Sequence, residues 1–254
     1  MRVRLLLLVL ILLATASVGA VWSKYRQSYA WSENARRGAG TAHAVSADDA
    51  PARTGMGSHM RMSAVRPPRA GDEVRAQEIA ARARQAIEKY QDYKAALSDG
   101  YEILLPHVPQ KMYHFNNASY YAEAERRFNV EHPTSLLYEK TRVGYRLLGV
   151  MYTAHAALTE GELDERIPLS VAAWHQHVNV CLPQGDPLWN LFGNGTRFGL
   201  EGSISNEEEC KEAGGRFYPR LFGWMVHLYP YERSVREMWS VERQMDDGGS
   251  GHMH

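Results

Sequence analysis

The sequence predicts an α+β domain, an antiparallel sheet with one long N-terminal helix and short peripheral helices. Three observations lead there. Apolar residues recur at helical spacing over one extended block, residues 72–98. Two later apolar runs, 135–141 and 145–153, are joined through a turn at Arg142 to Gly144 and read as a hairpin. Two further runs near the C-terminal end have the length and residue types of strands, and the chain has no internal repeat.

The block 72–98 begins with Asp72 and Glu73, repeats Ile79, Ala83, Ile87, Tyr90 and Leu97 on one face, and ends before Gly100. In "YEILLPHVPQKMYHFNN", Pro106 and Pro109 interrupt short extended pieces. Residues 118–128, with Tyr120, Tyr121 and Phe128, suit a short helix. Thr159 to Arg166 reads as an acidic loop, Val171 to Leu182 as a strand, and "LPQGDPLWNLFGNGTRFG" as loop. "SNEEECKEAGG" is a short helix capped by Ser205 or Asn206, where Glu207, Glu208 and Glu209 complement the helix dipole rather than catalyse, and Gly214 ends it. "RLFGWMVHLYPYE" reads as a strand, and "SVREMWSVERQM" closes the chain as an amphipathic helix with Val235, Met238 and Trp239.

Outside this domain the composition changes. Arg2 and Arg4 precede the apolar run Leu5 to Ala14, and small residues follow up to Ala20, the pattern of a signal peptide. Apolar character persists to Trp22, so residues 1–22 are a signal peptide or an uncleaved membrane anchor, with residues 5–22 as the tether. Lys24, Arg26, Arg36 and Arg37 lie just beyond and leave the orientation of an anchor open. Residues 23–71 hold eight Lys/Arg against three Asp/Glu, a net of +5, and read as a disordered basic linker. Residues 72–254 hold nineteen against twenty-six, a net of −7. The division expected is therefore 23–71 linker, 72–247 globular domain and 248–254 flexible tail.

An acidic domain argues against nucleic acid as partner and suits a metal ion or cationic small molecule, although the same charge also serves solubility. The cysteines are Cys181 and Cys210. In an oxidising compartment such a pair forms a disulfide; in the cytoplasm Cys181 would be a free thiol beside two histidines. The expected location is exported, periplasmic or extracellular, with the N-terminal anchor as its membrane-bound variant.

The chemistry concentrates in "WHQHVNVC". If Val171 to Leu182 is extended, Ala172, Trp174, Val178, Val180 and Leu182 share one face with Gln176, and His175, His177, Asn179 and Cys181 share the other. The same alternation puts Phe222, Trp224, Val226 and Leu228 opposite Met225, His227 and Tyr229. If both strands belong to one sheet, His175, His177 and His227 face one concavity, with His114 as a fourth and His107 and His155 behind it. Imidazoles from alternate residues of one strand plus a third from a neighbour are a donor set for Zn or Cu. The plainer reading is a buried polar layer in which each histidine bonds a carbonyl or carboxylate.

Met56, His59, Met60 and Met62 before the domain, and His252, Met253 and His254 at its end, add donors suited to copper. Chance or an engineered remnant accounts for them as simply. Gly-x-Ser-x-Gly, phosphate-loop, dinucleotide, zinc-finger and His-Glu-x-x-His patterns do not occur. Sequons stand at Asn117 and Asn194.

The order "MYHFNN", "HPTSLLYEK", "YRLLGVMYTA" and a His-bearing strand ending in Cys resembles a group of uncharacterised exported bacterial-type proteins. In these a methionine and an aromatic residue precede a histidine, ahead of a Pro-x-x-Leu-x-Tyr-Glu strand. The resemblance spans residues 100–230 and implies an exported domain with His114 in its site; it brings no activity with it.

The expectation is an exported metal-binding domain with Zn or Cu on His175, His177, His227 and His114. Hydrolysis through a metal-bound water and oxidation at copper are both open to such a site, and the sequence does not choose whether it is an enzyme. The alternative is a metal-free ligand-binding or structural module, its groove lined by Trp189, Phe192, Phe198 and Tyr218. Acid–base catalysis by the histidines alone would need an imidazole against a carboxylate beside a substrate-sized void.

Overall fold

The computed structural model describes residues 57–185, 191–192 and 197–240, all within the unit Thr54–His254. Its strands are β1 (Met60–Met62), β2 (Glu102–Ile103), β3 (Tyr113–Asn116), β4 (Ser135–Thr141), β5 (Gly144–Ala154), β6 (His175–Pro183), β7 (Gly215–Arg220) and β8 (Trp224–Leu228). They form an antiparallel sheet in the order β1-β6-β8-β5-β4-β3-β2, with β7 paired to β6 off that path. The helices are α1 (Asp72–Ile87), α2 (Tyr93–Ser98), α3 (Ala118–Ala124), α4 (Glu160–Arg166), α5 (Glu207–Glu212) and α6 (Val235–Met238). The α+β class holds.

One face of the sheet is dry. Tyr113, Phe115, Leu136, Tyr138, Val150, Tyr152, Trp174, Trp224, Val226 and Leu228 pack with Ala76, Ile79, Ala83 and Ile87 of α1 and with Trp239. The alanines let α1 lie close to this layer, and each buried Leu or Val contributes about 1.5 to 3 kcal/mol relative to exposure. Buried phenols are satisfied: the hydroxyls of Tyr101, Tyr138 and Tyr152 donate to the carbonyls of Pro133, Tyr90 and Val130 at 3.0, 2.8 and 2.7 Å.

The helix expected over 72–98 is divided. α1 passes into a 3-10 turn, Glu88–Gln91, and Asp92 then leaves helical geometry at ψ 104°. The Asp92 side chain accepts from the Lys94 N–H and starts α2, the competition by which Asp favours caps over helix interiors. The helix over 118–128 is shorter, ending at Ala124. The acidic "loop" from Thr159 is α4, opened by a capping box between Thr159 and Glu162. The final strand run is preceded by β7, which the sequence reading missed.

The largest correction is at the domain boundary. Residues 57–71 are not linker. β1 pairs with β6, and Arg66 clamps the following segment to the start of α1 and the end of α4. Its guanidinium donates to both Asp72 oxygens at 2.6 and 2.9 Å and to Asp164 at 2.7 Å. Residues 1–56 and 241–254, including Met56, the proposed signal or anchor, and the Met/His tail, lie outside the described residues. Among the described residues no helix is long and apolar enough to cross a membrane.

Cys181 and Cys210 form a disulfide with Cα atoms 5.6 Å apart, joining β6 to α5. Gly215 is where β7 passes it. A Cβ there would lie 2.6 Å from Cys181 Sγ and 2.9 Å from Cys210 Sγ, so only glycine fits.

Candidate functional site

The second face of the sheet carries the histidines. Leu136 and Tyr138 point into the core from β4, so Ser135 and Leu137 point the other way, and the pairings extend that face across the sheet. His114 is in register with Leu137, Ser135 with Met151, Met151 with His227, Met225 with His175, and Met62 and Met60 with His175 and His177. Leu137, Met151, Met225 and Tyr229 form the buried floor, against which Met112, Tyr121 and Leu148 pack.

The four predicted imidazoles stand in a continuous row. Ring centroids are 5.6 Å apart for His177 and His175, 5.3 Å for His175 and His227, and 5.8 Å for His227 and His114. The last distance reveals the shape of the sheet. β8 and β3 are three places apart in the strand order, which in a flat sheet separates their backbones by about 14 Å. Rings can approach to 5.8 Å only if the sheet curls toward this face. Two features between them promote the curl: the register shift at Leu137/Tyr138, and Gly149, where a side chain would collide with the Leu228 carbonyl.

Within β6 the alternation read from the sequence holds for His175 and His177, then breaks. Asn179 has φ 54°, a left-handed conformation that Asn tolerates better than most residues. Before it β6 pairs with β1 and β8; the stretch from Val178 to Pro183 pairs with β7. The apolar face is accordingly split, with Trp174 in the main core and Val180 and Leu182 in a separate cluster with Leu191. His59, which the sequence offered only as a stray donor, is buried at this bend. Its ring nitrogens lie 3.0 Å from the Asn179 carbonyl and 2.6 Å from that of Gly202.

His175 and His227 are 2% and 3% exposed, whereas His114 and His177 are half-buried, so the row is sealed in its middle and more accessible at both ends. Burial, and then the neighbouring imidazoles of His227, His114 and His59, push the His177 pKa down to about 4. At neutral pH that ring is uncharged and its lone pair is available to a Lewis acid.

Two imidazoles bound through nitrogen to one tetrahedral ion at about 2.0 to 2.1 Å place their centroids about 5.2 Å apart. Each neighbouring pair in the row is close to that spacing. As the side chains stand, however, no group of three or more His, Cys, Asp or Glu among the described residues is disposed to hold a metal ion. The row supplies adjacent pairs rather than a closed cage.

Other candidates fall elsewhere. His107 is exposed. His155 accepts from the Ala157 N–H at 3.1 Å and lies 3.9 Å from Glu125. The close imidazole–carboxylate contact is His132 with Glu123 at 2.5 Å, and His132 stacks on Tyr120 at 4.3 Å; it involves none of the four. Of the aromatic residues expected to line a groove, Phe192 and Tyr218 pack on the Val180 cluster and Phe198 on the disulfide, each partly buried. Trp189 and Asn194 lie outside the described residues. Asn117 is 5% exposed and occupied in capping α3, with its Nδ2 donating to the Asp99 carbonyl, so it is no glycan acceptor in the folded chain.

Compared with known protein families, curated proteins and solved structures, the chain matches none.

Proposed function

We propose that this is an exported domain that binds a transition-metal ion, Zn or Cu, on the imidazoles of His175, His177, His227 and His114. The supporting observation is the row itself: four histidines from three strands, successive rings 5.3 to 5.8 Å apart, on the concave side of a curled sheet. Gathering a third ring around an ion that two already share asks for side-chain rotation, at a cost of about 0.5 to 1.5 kcal/mol for an off-rotamer torsion. The disulfide accords with an oxidising compartment, and export, released or tethered through residues 5–22, is part of the proposal.

The test is metal content of full-length protein purified without an added histidine tag, with thermal shifts on adding Zn(II) or Cu(II). About one bound equivalent is expected, lost in His175→Ala/His227→Ala. Less than about a tenth of an equivalent, with no shift, overturns the proposal.

A further inference from the structure

Three of the four histidines, His175, His177 and His227, each have a methionine directly opposite on a neighbouring strand. Met60 is in register with His177 and Met62 with His175, both from β1; Met225 is in register with His175 from β8, and Met151 with His227 from β5. Residues so paired project from the same face, with Cβ atoms about 4.5 to 5.5 Å apart. The face is therefore lined by imidazole and thioether.

From this pairing we infer that the ion held on the histidine face is Cu(I), and that Met60 and Met62 of the edge strand supply its sulfur ligands. The inference rests on the metal-binding reading above and narrows it. Zinc is closed by imidazole, thiolate or carboxylate, usually four at once. Three such donors do not converge among the described residues, and both cysteines are consumed in the disulfide. Thioethers are soft donors that select Cu(I). Met151 and Met225 are 4% and 5% exposed and belong to the packed floor. Met60 and Met62 are half-buried on a three-residue strand at the sheet edge that pairs with β6, so their thioethers are placed to meet an incoming ion beside His175 and His177. Binding needs no change of oxidation state if copper arrives reduced: two imidazole lone pairs and one or two sulfur lone pairs complete the ion.

The experiment is anaerobic competition of full-length protein against a chromophoric Cu(I) chelator, alongside Zn(II) titration, for the wild type and Met60→Leu/Met62→Leu. That exchange conserves volume and keeps the strand apolar; circular dichroism checks that the variant folds. The expected result is a Cu(I) affinity at least tenfold lower in the variant, Zn(II) affinity changed less than twofold, and sulfur in the copper shell by X-ray absorption of the wild type only. Equal Cu(I) affinity in the two proteins, or a copper shell of nitrogen alone, overturns the thioether assignment while leaving the histidine site standing. Zinc binding without Cu(I) binding does the same. Failure of the wild type to bind either ion overturns both readings.

Discussion

At φ 54° Asn179 stands in the left-handed region in the middle of β6, and its neighbours are arranged to keep it there. Its carbonyl meets a ring nitrogen of buried His59, and its side-chain amide donates to the Ser58 carbonyl at 3.3 Å. The bend hands the strand from β8 to β7 just after His177, leaving the half-buried ring at the mouth of the row. Elsewhere a single carboxylate sets the acid limit of a local cluster. Hydrogen bonds first from His132, then from Arg127 and Asn129, hold the Glu123 carboxyl down to about 2 against an ordinary 4.5. A depressed acid contributes stability that is complete above its unfolded pKa and is lost as pH falls through its folded one, here between 4.5 and about 2. Glu123→Gln should therefore flatten the fall in urea midpoint between pH 5.5 and pH 3, while lowering the midpoint at pH 7. A fall as steep as that of the wild type would refute this.

Among the elements, β1 depends most on a remote contact. Three residues paired on one side make a weak strand, yet the segment that follows is fastened by Arg66 to Asp72 and Asp164, with Ser170 donating to Asp72 at 2.6 Å. The Arg66 guanidinium, then Ser170 and the Arg69 N–H, hold the Asp72 carboxyl far below the usual range. Arg66→Ala is expected to loosen β1 without unfolding the sheet. By hydrogen exchange, the amides of Met60 to Met62 should lose protection while those of Leu136 and Val150 keep theirs. Uniform loss would show that the clasp supports the whole domain. The central hairpin was legible because Leu136, Tyr138, Val150 and Tyr152 alternate over long runs. β1 was not, because three residues inside a basic, Gly- and Ala-rich stretch carry no period, and its neighbours are far away in sequence. β7 was hidden for a related reason: Pro219 and the arginines at 216 and 220 interrupt any apolar period, and the strand run read from Arg220 onward absorbed its end. α4 could have been found, since Thr159 and Glu162 are a capping box written in the sequence.

For the whole molecule, the faces of His175, His177 and His227 followed from alternation alone, whereas His114 was a candidate without a face, and the meeting of the four did not follow. It depends on strand order and on a curl set by a register shift and one glycine, and neither can be counted off a chain. The methionines opposite them were visible as residue types and invisible as partners for the same reason. The disulfide was legible, being the only pairing two cysteines allow. It closes a separation of 29 residues, and in the chain-entropy model Cys181→Ser/Cys210→Ser should lower unfolding free energy by about 3 to 4 kcal/mol. Urea denaturation measures this, and a loss below about 1 kcal/mol would mean that the packing of Phe198 and Ile204 holds β6 to α5 unaided. The alternation of β6 also has an optical consequence. Trp174, fully buried, is back to back with His175 through one stretch of backbone, and Trp224 adjoins Met225 in the same way. Two indoles in dry surroundings thus lie a single sheet thickness, about 10 Å, from any ion on the opposite face. If a quenching metal binds on the histidine face as proposed, the protein carries its own fluorophores for it, screened from solvent by the same fold.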